Sequence, residues 1–146
     1  MLLQTKREIL TYKQRVLLAL IDTLSLQGRS SKFQIEKNLF LLKKEEDMDN
    51  YVKFYNFYPY NYGPFSNMSY FDINILISKG YILEEKKQFK VTEKAIKYLH
   101  SLNQLLQDKI RKTSSRFTSD NEIKEYVYEK YPEYQKIIPQ KFSASV

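Results

Sequence analysis

Seven aromatic rings fall within the thirteen residues Phe54–Ser66, FYNFYPYNYGPFS, together with one glycine and two prolines. Rings at that density act by contact: they stack on bases, plug a core or offer a surface to a partner protein. Tyr58, Tyr60 and Tyr62 alternate, so an extended segment would turn all three to one side. A base-stacking platform needs flanking positive charge, and in sequence only Lys53 is close. The stretch is therefore expected to be a rigid connector. Its Phe54, Phe57 and Phe65 enter the core, and its tyrosine side is offered to a protein.

Groups able to do covalent or acid–base chemistry are sparse. There is no cysteine, which removes disulfide frameworks, thiolate metal sites and Cys nucleophiles together. The sole histidine, His100, sits beside Leu99 with no nucleophile nearby in sequence. Glu45, Glu46, Asp47 and Asp49 cluster, but they lack the alternation and central glycine of a calcium loop. They read as a fraying helix end running into a solvated acidic loop. The Gly63–Pro64 pair has no Gly-rich run leading to a Lys-Ser/Thr, so it is no phosphate loop. The expectation is a non-enzymatic protein without cofactor or metal, one that works by binding.

Net charge is +7, and its placement is uneven. Residues 79–112 carry nine Lys/Arg against four Asp/Glu, whereas residues 1–50 carry nine against seven. A basic window of this kind suits nucleic-acid binding. The longest apolar run near the start, Val16–Ile21, is far too short to span a bilayer. No membrane partner is expected, and a cytoplasmic location is.

The elements that must position these residues can be read in order. Val16, Leu17, Leu20, Ile21 and Leu24 recur at helical spacing, predicting a helix from about Lys6 to Leu24. Ser31 with Gln34 forms a capping-box pattern opening a second helix to about Lys44. A third helix is expected from about Asn67 to Lys79, with Met68, Phe71, Ile75 and Leu76 inward and Gly80 ending it. YILEE and FKVT flank a Lys-rich turn as a β-hairpin. Thr92 then caps one long helix to about Lys112, TSSRFTS reads as a polar linker, and Ser119 with Glu122 opens a last helix that Pro132 closes.

Three helices followed by a hairpin is the plan of a winged helix; a plain helical bundle with an incidental hairpin is the alternative. The expected fold is α+β, mainly helical: a winged-helix-like domain over residues 1–112 and a C-terminal linker and helical extension over 113–146. The extension's Ile123 and Val127 need cover, from the first helix or across a homodimer.

FQIEKNLFLLKKE, FYPYNYGPFS, ILISKGYI and FKVTEKAIKYL together resemble the YwgA-like bacterial and archaeal proteins. More distantly, they are similar to the Panacea domain of antitoxins and of the SocA proteolytic adaptor. The likeness covers about residues 10–105; the second helix lacks the Lys-Leu start usual there. It implies a compact winged-helix-like domain in a regulatory, toxin-neutralising or defence-associated setting.

Two binding modes follow as expectations. On duplex DNA, Asn67, Ser69, Tyr70 and Asn74 of the third helix would face bases, with Lys79, Lys86, Lys87 and Lys90 on phosphates. On a protein partner (a toxin, a nuclease or another subunit), Tyr58, Tyr60, Tyr62, Tyr126, Tyr128 and Tyr131 would supply the contact, since tyrosine brings apolar area with one polar end.

Overall fold

The computed structural model describes residues 9–60 and 63–135. These form six α-helices and two separate antiparallel hairpins, a mainly helical α+β protein. Helix α1 (Tyr12–Leu26) starts later than its apolar spacing suggests, because Thr11 and Gln14 form a reciprocal capping box there. Six of its side chains, Val16 to Leu18, Leu20, Ile21 and Leu24, are buried and make the centre of the main core.

Helix α2 (Lys32–Glu45) is capped by Ser31, which accepts from the Gln34 N–H. The Gln34 side chain does not return to the cap; it donates to Asp120 Oδ1 at 2.7 Å. Every residue from Gln34 to Leu42 is buried. A helix covered all round must be packed from several sides, and α2 is. Ile35, Leu39 and Leu42 join the main core, while Phe40 and Leu41 form a second cluster with Ile123 and Val127 of α6 (Asp120–Lys130). Cover for the extension thus comes from the second helix of the same chain.

The acidic run is not a solvated loop. Met48 is buried within a 3-10 turn, Glu46 is buried, and Glu46 pairs with Lys109 and Lys112 of α5 (Gln104–Ser114). The aromatic stretch also differs from a simple connector. Tyr58–Tyr60 (β1) and Gly63–Phe65 (β2) pair as a small hairpin in the register Tyr58 with Phe65 and Tyr60 with Gly63. Phe54 and Tyr55 plug the main core, and Phe57 and Phe65 are half-buried.

Helix α3 (Asn67–Ser78) has the expected bounds and the expected Gly80 stop, at φ +80°, but it is rotated. Its inward face is Ser69, Asp72, Ile73 and Leu76, while Met68 and Phe71 are exposed. The cause is polar: buried Asp72 accepts from the Tyr55 hydroxyl at 2.7 Å and from Gln14 Nε2 at 3.1 Å. A satisfied carboxylate is tolerated inside, where an unpaired one is not.

The hairpin β3 (Ile82–Glu85) and β4 (Gln88–Val91) turns at Lys86–Lys87. Both have positive φ, +53° and +64°, the conformation of a two-residue type I′ turn. Phe89 of β4 is buried, and its backbone exchanges hydrogen bonds with Ser30 in the α1–α2 turn. The helix expected to run on from Thr92 is broken. A 3-10 turn, the one-turn α4 (Ile96–Leu99), and then α5 capped by Asn103 replace it. Buried Leu102 sits at the break. Nor is the segment after α5 a bare polar linker: Thr113 and Ser114 are buried, and Arg29 donates to the Ser114 and Phe117 carbonyls.

Candidate functional site

The β1–β2 hairpin, α2, α3 and α6 line a cleft of about 450 Å³. Its floor is an ion pair that sequence reading missed. Lys37 is 1% exposed, and its Nζ lies 3.1 Å from Glu36 Oε1. Neighbours one residue apart on a helix do not face each other. Here both side chains are drawn to the same hairpin: Lys37 donates to the Pro64 carbonyl at 3.3 Å, and Ser66 N–H donates to Glu36 Oε2 at 3.2 Å. Lys37 also lies over the Phe33 ring, 4.8 Å from its centroid. Burial lowers the Lys37 pKa and raises that of Glu36, and each partner pulls the other back toward its charged form. The pair is conformational glue: it joins the second helix to the start of the third.

Aromatic rings make the walls. Phe65 contacts Tyr60 at 4.8 Å and Tyr70 at 5.1 Å between centroids, so the three rings run on continuously. Phe33 of α2 and Tyr128 of α6 complete the lining. Burial, with the nearby Glu36 charge, pushes the Tyr70 hydroxyl up to about 12. Lys124 stands at the cleft on α6 and makes no ion pair among the described residues. Gly63 shapes the entrance with a φ of +99°, a conformation that costs any residue with a Cβ.

The sequence-derived site residues separate into groups. Asn67 and Asn74 are exposed on α3 as expected, and Tyr70 is half-buried at the cleft. Ser69 is 1% exposed and its hydroxyl donates to Ser66 O, so it reaches no ligand. Lys79 is the C-cap of α3. Lys86, Lys87 and Lys90 are exposed on the second hairpin, but Glu84 and Glu85 are exposed on the facing strand, and Lys90 pairs with Glu85 at 3.4 Å. Helix α3 itself carries no Lys or Arg.

Among the tyrosines, Tyr58 and Tyr60 are exposed and both contact Phe65. Tyr62 lies outside the described residues. Tyr126 and Tyr131 are engaged within the chain, donating to Glu45 Oε2 at 2.8 and 2.7 Å, and Tyr128 packs on Gly63. Glu45 also accepts from Arg116 at 2.6 Å and pairs with Lys130 at 3.0 Å. Burial pushes Glu45 up, yet hydrogen bonds from Tyr131, Arg116, Tyr126 and Lys130 outweigh it and hold the carboxyl at about 2. The hydroxyls of Tyr126 and Tyr131 thus fasten the α6 end of the chain to α2.

No protein-family model, curated protein or solved structure matches this chain. Function must therefore be read from the residues themselves. Among the described residues no cluster of His, Cys, Asp or Glu is arranged to hold a metal ion, and no helix is long and apolar enough to cross a membrane. Two surfaces stand out among the described residues: the aromatic cleft with its charged floor, and the outward side of α3 with its exposed Met68 and Phe71.

Proposed function

We propose that this chain is a non-catalytic protein-binding module of winged-helix-like plan, an antitoxin- or adaptor-type subunit that engages a partner through α3. The observation that carries it is the outward surface of that helix. Phe71 is 55% exposed and Met68 45%, one turn apart, with half-buried Ile75 continuing the stripe and Asn67, Asn74 and Ser78 beside it. Large apolar side chains held in water favour a partner that covers them. Duplex DNA asks for cations to displace phosphate counterions, and α3 supplies none. The reading agrees with the resemblance to YwgA-like and Panacea-type domains.

The test compares wild type with Phe71→Asp and Met68→Asp in co-purification from cells expressing the neighbouring genes. Wild type should retain a stoichiometric partner that both variants lose at unchanged melting temperature. A partner retained equally by all three overturns the assignment to α3. Duplex DNA remains the second reading because Asn67 and Asn74 point outward and Lys86 and Lys87 stand at the hairpin tip. A low-salt gel shift abolished by Lys86→Glu with Lys87→Glu would favour it.

A further inference from the structure

The cleft beneath the β1–β2 hairpin has features that a protein-binding helix does not require. It is large enough for a mononucleotide-sized ligand. Its rings come from four separate elements: Phe33 from α2, Tyr60 and Phe65 from the hairpin, Tyr70 from α3 and Tyr128 from α6. Such a lining accepts a flat aromatic ligand by stacking, whatever its substituents.

The floor adds polarity in a form suited to the edge of a heteroaromatic ring. Glu36 is an acceptor and Lys37 a donor, side by side. Each Glu36 oxygen accepts one hydrogen bond, from Lys37 or Ser66, and an ionised carboxylate has about four acceptor positions. Acceptor capacity therefore remains for a ring N–H or an exocyclic amine. The hydroxyls of Tyr60 and Tyr70 make no hydrogen bond among the described residues. Charge completes the requirement. Lys37 and Lys124 against Glu36 leave the lining with a balance of one positive charge, which disfavours a cationic guest and favours an anion attached to the ring.

We infer that this cleft binds a nucleotide, with the base stacked among Tyr60, Phe65, Phe33 and Tyr128 and its edge at the Glu36–Lys37 floor, and with the phosphate turned to Lys124. The same chemistry is offered by a free mononucleotide and by the end of a single strand.

The full chain is titrated by calorimetry with each of the four ribonucleoside monophosphates and with a short poly-dT strand. The expected result is saturable binding of at least one probe, with affinity falling about tenfold or more in Tyr60→Ala or Lys124→Glu, the loss of one stacked base or one phosphate contact. Preference for a monophosphate identifies a free nucleotide as the source, and preference for the strand identifies a nucleic-acid end. Tyr60 is exposed and Lys124 only half-buried, so both variants are checked for an unchanged melting temperature. If either variant unfolds, Tyr60→Leu and Lys124→Gln replace them. Absence of binding by all five probes overturns the inference, as does binding that survives both substitutions.

Discussion

A Cβ placed on Gly63 would lie 2.9 Å from Cε1 of Tyr128. The glycine of the YGP segment is thus demanded twice, by its φ of +99° and by a ring from a helix more than sixty residues further on. Gly63→Ala should cost about 3 kcal/mol, combining backbone strain with overpacking. In a Tyr128→Ala background the added cost should shrink to the strain alone. Urea denaturation of the two single variants and the double closes the cycle. A cost unchanged by Tyr128→Ala would show that the ring contact contributes nothing.

Lys37→Met leaves the buried Glu36 carboxylate without its cation, held only by the Ser66 N–H, and should destabilise the fold by about 3 kcal/mol or more. Replacing both partners, Glu36→Leu with Lys37→Met, should recover much of that loss. Recovery stays incomplete because the Ser66 N–H and the Pro64 carbonyl would then lack their partners. Chemical denaturation at neutral pH measures both, and a double variant as unstable as the single one would contradict the pairing.

The Glu45 carboxyl gives the fold an acid-sensitive joint. Its pKa is held at about 2 in the folded state against an ordinary 4.5, so the unfolded chain binds the proton more readily. Its contribution is fully present above about 4.5 and lost as pH falls toward about 2. Glu45→Gln should therefore lower stability by about 2 kcal/mol at neutral pH. The gap from wild type should narrow over that acid window, as thermal melts across the range would reveal. A constant gap would place the effect in packing, not charge.

Lys86 and Lys87 adopt the positive φ values that a type I′ turn requires, although Asn-Gly suits that turn better. Lys86→Asn with Lys87→Gly should raise the urea midpoint, by about 1 kcal/mol of stability. The same variant strips two charges from the hairpin tip, so it separates any nucleic-acid role of those lysines from their structural effect.

Local signals were legible in the sequence where they are self-contained. Helix caps at Ser31 and Ser119, the Gly80 stop and the two-stranded run around Lys86–Lys87 all stand where residue type placed them. The face of α3 was misjudged because apolar spacing sends Met68 and Phe71 inward. The winning term was long-range: Asp72 is satisfied by Tyr55 and Gln14, both on other elements. The cleft was hidden for the same reason. No residue type or spacing sets Glu36 and Lys37 apart from other polar residues of a helix, and only the hairpin folded over them shows that they are buried. One clue was available: from Gln34 to Leu42, apolar residues are too frequent for one face of a two-layer helix.

The cleft draws its lining from α2, the two strands of the first hairpin, α3 and α6. The ribosome delivers the early elements first, so α1, α2 and the first hairpin are present while the cleft still lacks a wall. Tyr128 and Lys124 arrive only with α6. Premature termination before Asp120 would leave the core of α1 intact in composition but the cleft open, with Phe40 and Leu41 stripped of the cover that Ile123 and Val127 give them. The pocket is thereby a late-assembling feature, and competence to hold a ligand there reports that synthesis has passed α6.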